Sequence, residues 1–154
     1  MAEHRATIEW HNTATATDFV KGRYSREHVW TFDGGASVPA SPSPSVVPAP
    51  WSNAANVDPE EAYVASIASC HMLTFLWVAS KRGFAIASYR DAAVGVLTKN
   101  ERGKPWVSRV TLSPQIEWIE KTPTAEELAS LHHAAHDDCF IANSVNTEIV
   151  TTTT

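Results

Sequence analysis

The sequence is poor in basic residues and in thiols. Only 12 of its 154 residues are Lys or Arg, against 17 Asp or Glu, which gives a formal net charge of -5. Nucleic-acid binders draw their affinity from clustered cations, and neither a basic stripe nor a basic tail occurs here. Two cysteines, Cys70 and Cys139, are too few for a secreted disulfide framework, and neither lies in a CxxC motif. HEXXH and GxSxG are missing, so the zinc-protease and serine-hydrolase signatures are absent. The first ten residues carry charges where a signal peptide has an apolar core. No uninterrupted apolar run approaches the roughly 18 residues of a membrane span. The expectation is a cytoplasmic protein without a membrane or nucleic-acid partner.

What is present fits a soluble globular chain: 44% hydrophobic and 19% charged residues. The length predicts a single domain over residues 1–154, with one core and a short threonine tail at 151–154. Residues 5–11 and His28–Phe32 alternate apolar and polar side chains, as strands do, and Gly22 lies in a turn between them. The proline-rich stretch 38–50 reads as an ordered surface loop, since proline resists both helix and sheet pairing. Asp58-Pro59-Glu60-Glu61 has the order of a helix start: an N-cap aspartate, proline at the first helical position, and acids facing the positive end of the dipole. The helix that follows is apolar on nearly every face. It therefore has to be buried within the domain or between subunits, until Lys81-Arg82-Gly83 ends it.

Residues 88–98 and 107–119 alternate well enough for two long strands. The turn-like Asn100-Glu101-Arg102-Gly103 joins them into a hairpin. Thr124 and Glu127 form a capping box that opens a second helix over 124–138, and residues 144–150 resume a strand pattern. Strands, long helix, hairpin, helix and strand in that order predict an α+β fold.

Cys70 sits inside the apolar helix, where a cysteine is ordinarily a small hydrophobe. Its context argues for more: His71 follows it, and Ser66 and Ser69 leave small polar gaps in the apolar surface. Cys139 ends the second helix behind His136-Asp137-Asp138, where carboxylates and the negative end of the dipole disfavour a thiolate. A thiolate that cleaves a peroxide becomes a sulfenic acid, which a second thiol converts to a disulfide. The contrast assigns attack to Cys70 and resolution to Cys139. A Cys70 buried in apolar surroundings needs a cation. Arginine suits best, with Arg26 the first choice and Arg23 the second. Glu60 can orient that arginine or simply complement the helix dipole. It stands roughly 15 Å along a straight helix from Cys70.

NVDPEEAYVASIASCHMLTFL resembles the peroxidatic-cysteine helix of the OsmC/Ohr family of thiol-dependent peroxidases. HDDCFIANSVNTEI is similar to that family's resolving-cysteine segment. The resemblance spans about residues 57–150 with both cysteines in register, and YSREHVWTF with the proline-rich loop points to the OsmC-like subgroup. It implies an intertwined α+β homodimer in which the long central helix packs against antiparallel sheets, with active sites at the subunit interface. It further implies that Cys70 attacks, that Cys139 resolves, and that Glu60 partners the catalytic arginine. The substrate implied is an organic hydroperoxide and the reductant an external dithiol of small or lipoyl type, with no metal or bound organic cofactor.

Two other readings belong to different classes. One is a non-enzymatic dimeric binding or stress-associated protein of the same fold. The other is a metal site at His132, His136 and Cys139, with His133 and Asp137 close by, suggested by His132 and His136 one helical turn apart.

Overall fold

The computed structural model of the protein describes residues 1–152. The chain forms two compact units, Met1–Ala62 and the segment from Tyr63 onward.

In the first unit, β1 (Ala6–Glu9), β2 (His28–Phe32) and β3 (Ser37–Ala40) form an antiparallel sheet in the order β1-β2-β3. Between β1 and β2 lies a short helix, α1 (Ala16–Val20), which the sequence pattern did not predict. Thr15 caps it by accepting the Asp18 N–H at 3.1 Å. Gly22 then takes φ 76°, a conformation that favours glycine, as the turn before β2 requires. Phe19 and Tyr24 stack with centroids 4.5 Å apart, and Trp10 packs beside both.

The proline-rich stretch departs from the expected loop at its start. Pro39 sits in β3 opposite Val29, so sheet pairing reaches into residues 38–40. The reason is position: β3 is an edge strand, where a missing N–H interrupts no second ladder. The Pro39 carbonyl accepts the Val57 N–H at 3.1 Å.

Asp58 and Glu61 start α2 (Pro59–Lys81) as the sequence implied. The Asp58 carboxylate accepts the Glu61 N–H at 2.7 Å, and the Glu61 carboxylate accepts the Asp58 N–H at 3.1 Å. By length and composition α2 could cross a membrane, with a mean hydropathy of 1.5 over its most apolar window. In this fold it is a core helix. Ile67, His71, Phe75, Val78 and Ala79 are buried, whereas Leu73 and Trp77 on other faces are 60% and 56% exposed. Within one chain the helix buries a single face, so the expectation of burial all round is not met by the protomer alone.

The predicted hairpin forms but breaks in the middle. Its first arm divides into β4 (Ala85–Asp91) and β5 (Val94–Lys99), its second into β6 (Pro105–Leu112) and β7 (Pro114–Ile119). β4 pairs with β7 and β5 with β6, both antiparallel. At the break Ser113 N–H donates to the Asp91 carboxylate at 2.7 Å instead of to a strand neighbour. β8 (Glu148–Thr151) joins β6 in parallel, which places Thr151 of the expected tail in a strand; residues 153 and 154 lie outside the described residues.

α3 (Ala125–Asp138) is opened by the capping box of Thr124 and Glu127. It contributes Leu131 and Ala135 to a core with Phe75, Val78, Ala79 and Phe84. A second cluster joins Ile67 of α2 to Val110 and Leu112 of β6. Full burial of a side chain such as Phe75 contributes about 2–3 kcal/mol. The first cluster packs the second half of α2 on α3, and the second packs its middle on β6.

Candidate active site

The two cysteines are brought together by α2 and the C-terminal end of α3. Cys70 projects from the middle of α2 and is partly exposed; Cys139 is the C-cap of α3 and is 1% exposed. The sequence expectation of a buried Cys70 is thus corrected. α2 turns Ile67 and His71 into the core and leaves Cys70 at the margin, while the chain leaving α3 folds over Cys139. Both thiols are free. They face one turn of the chain, and the Cys70 thiol helps to raise that of Cys139.

The turn after α3 supplies main-chain donors to both sulfurs. Ile141 N–H donates to Cys70 Sγ at 3.5 Å, and Ala142 N–H donates to Cys139 Sγ at 3.4 Å. The turn is held by Asn143, whose side-chain amide donates to the carbonyls of Asp137 at 2.8 Å and Cys139 at 3.0 Å. Asn143 N–H also donates to the Cys139 carbonyl at 3.0 Å, and a single 3-10 turn, Ala142–Ser144, follows. Carbonyls left open at the end of α3 are thereby satisfied.

The Cys139 thiol is pushed up, first by burial and then by the adjacent Cys70 thiol, while the main-chain donors pull the other way. The sequence reading reached the same direction from the helix end and its carboxylates. The structure gives burial as the first cause.

Cys70 opens onto a pocket of about 780 Å³. Leu73 and Trp77 of α2 and Phe140 and Ile141 of the following turn form its apolar walls, with Ser66 and Ser69 beside the sulfur. A pocket of this size and character suits an apolar organic group whose reactive end meets the thiol.

Behind Cys70, facing the core, lies a pair that sequence reasoning missed. His71 Nε2 and His132 Nδ1 are 3.0 Å apart, one donating and the other accepting, and His132 stacks on Phe75 at 4.3 Å. The pKa of His71 is lowered to about 4 by burial, then by His132 and His136; that of His132 is lowered to about 4 by burial. Both rings are therefore neutral at pH 7. The available signal was the one-residue offset of His71 from Cys70, which turns the two side chains to different faces of the helix. His132 thus faces His71, whereas His133 lies at the surface, 3.3 Å from Asp137. Among the described residues no three His, Cys, Asp or Glu side chains converge as a metal site.

Arg23, Arg26 and Glu60 belong to the first unit. The Arg26 guanidinium lies over the Tyr24 ring, 4.0 Å from its centroid, and donates to the Tyr24 carbonyl at 3.1 Å. Among the described residues no carboxylate lies within ion-pair distance of Arg23 or Arg26. Glu60 occupies the first turn of α2.

Comparison with known proteins gives a consistent picture. The model of the family described as OsmC-like protein matches residues 52–154. An OsmC-like protein of unknown function from Vibrio cholerae is 50% identical, with 99% of each chain covered and a TM-score of 0.93. An organic hydroperoxide resistance protein from Elizabethkingia anophelis has 18% identity, 98% and 94% coverage and a TM-score of 0.72. The organic hydroperoxide resistance protein OhrB of Bacillus subtilis has 20% identity, 97% and 96% coverage and a TM-score of 0.66. The last two show likeness of fold. No curated protein matches the sequence at a significant level.

Proposed function

Because the chain belongs to the OsmC-like protein family, we propose that it is a thiol-dependent peroxidase that reduces organic hydroperoxides to alcohols. The observation that carries this reading is the pair of free thiols set on consecutive main-chain N–H groups of one turn, one opening onto an apolar pocket and the other buried. A partly exposed thiol can meet a peroxide, and a buried neighbour is shielded from oxidation until the first has reacted.

The Cys70 thiolate attacks the terminal oxygen of the hydroperoxide and its O–O bond breaks. Cys70 becomes a sulfenic acid, and the alkoxide takes a proton to leave as the alcohol. The Cys139 thiolate then attacks the Cys70 sulfur, expelling hydroxide, which is protonated to water. Both electrons come from the two thiols, and the product is a Cys70–Cys139 disulfide. An external dithiol, of small or lipoyl type, restores both thiols by exchange and leaves oxidised.

Following the resemblance, Arg26 supplies the cation for the thiolate and the peroxide oxygen, Arg23 is the second choice, and Glu60 orients the arginine. No resident metal or organic cofactor enters these steps. A homodimer accommodates the apolar side chains that the protomer leaves open, Leu73, Trp77 and Phe140, the last 83% exposed. The cytoplasm, with its dithiol supply, suits the cycle.

The test is oxidation of the reduced protein by one equivalent of organic hydroperoxide. Loss of both thiols with formation of the alcohol supports the reading; thiols that persist while peroxide remains refute it.

A further inference from the structure

The peroxidase reading requires charge on sulfur twice, first on Cys70, which opens onto a largely apolar pocket, and then on Cys139, which is buried. Negative charge in such surroundings needs donors aimed at it, and a donor fixed by the backbone needs no reorganisation when the charge forms. Two consecutive main-chain N–H groups meet that need. Ala142 N–H serves Cys139 alone, at 3.4 Å. Ile141 N–H is aimed at Cys70 Sγ, at 3.5 Å.

We propose that the Ile141 main-chain N–H is a catalytic donor that holds charge on the Cys70 thiolate before attack. This rests on the peroxidase reading for its place in the cycle, but the hydrogen bond to the Cys70 thiolate is testable without peroxide. The arrangement is local and rigid. Asn143 ties the turn to the carbonyls of Asp137 and Cys139, and Ser144 N–H donates to the Ile141 carbonyl at 2.9 Å. The N–H therefore keeps its aim as the charge on Cys70 forms.

The backbone permits a direct deletion. Ile141 has φ -70°, the value to which a proline ring is fixed, so Ile141→Pro removes the donor at a compatible φ. The residue before a proline is pushed toward extended backbone, so the strain of the substitution falls on Phe140 in the turn. In a Cys139→Ser background, the rate of Cys70 alkylation by iodoacetamide at about pH 7 is expected to fall roughly ten-fold in Ile141→Pro. Ile141→Ala keeps the N–H and removes only side-chain packing, so it is expected to fall by less than the proline variant. Equal falls, or no fall with proline, overturn the proposal.

If the proline variant does not fold, amide NMR of the reduced Cys139→Ser protein decides. The Ile141 amide proton is expected to move downfield across the pH range in which alkylation of Cys70 accelerates, and to stay still in Cys70→Ser, Cys139→Ser. An Ile141 amide indifferent to Cys70 ionisation overturns the proposal. Failure of these measurements leaves hydroperoxide reduction itself untouched, and absence of peroxidase activity leaves the alkylation and amide results standing.

Discussion

His71 Nε2 and His132 Nδ1 face each other at 3.0 Å in the core, joining the middle of α2 to α3 directly behind the thiol pair. Both rings have pKa values near 4, well below the ordinary value of 6.5, because burial favours the neutral form. The unfolded chain therefore binds more protons than the folded one between about pH 6.5 and 4. The stabilisation is complete above the ordinary histidine pKa and is lost as pH falls toward 4. Asp91 acts in the opposite sense, since burial raises its carboxyl and folding favours its protonated form. The net expectation is a loss of roughly a few kcal/mol over that window, with imidazole carbon protons of His71 and His132 that titrate near pH 4. Proton NMR against pH checks this, and titration of both rings near 6.5 contradicts it.

A second prediction concerns Gly95 of β5, which lies against the Val64 side chain of α2 so closely that an added Cβ would collide with it. Gly95→Ala is expected to cost about 1–3 kcal/mol through overpacking. Val64→Ala in the same chain is expected to recover part of that loss, because the two side chains compete for one space. Urea unfolding of the two single variants and the double variant measures the coupling, and strict additivity contradicts it.

Thr124 secures the start of the helix that carries His132 and ends at Cys139. Its hydroxyl accepts the Glu127 N–H at 3.2 Å, and the Glu127 carboxylate accepts the Thr124 N–H at 2.8 Å. Thr124→Ala is expected to destabilise the fold by about 1 kcal/mol. Thermal unfolding reads this out, and an unchanged midpoint contradicts it.

The arginine assignment makes a kinetic prediction. Arg26→Met is expected to slow oxidation of Cys70 by an organic hydroperoxide about 100-fold, the loss typical of removing one charge-stabilising donor. A larger loss in Arg23→Met than in Arg26→Met transfers the role to Arg23. Stopped-flow Trp fluorescence during oxidation separates the two.

Much of the framework was legible because its signals are local. Asp58 with Glu61 and Thr124 with Glu127 cap the helices that their spacing announces, and Asn100–Gly103 turns the chain between β5 and β6. The break opposite Ser113 was not legible, since alternation continues across it and only the Asp91 contact reveals that the ladder is interrupted. Nor was Pro39 in β3, because the sequence does not say which strand lies at an edge. At the site, both cysteines could be named from their contexts. The burial of Cys70 was not legible, because an apolar helix does not declare which face meets its own core. His71 and His132 were read as a cysteine's neighbour and a metal candidate. Their pairing spans α2 and α3, a distance over which periodicity carries no information.

The most direct measurement is intact mass and peptide mapping of reduced protein after one equivalent of an organic hydroperoxide, with Cys139→Ser alongside. The wild-type chain is expected to lose two hydrogens and yield a Cys70–Cys139 linked peptide, while Cys139→Ser gains one oxygen on Cys70 and stalls. Unchanged masses in both proteins, with the hydroperoxide unconsumed, would contradict the assignment of this chain as a peroxidase.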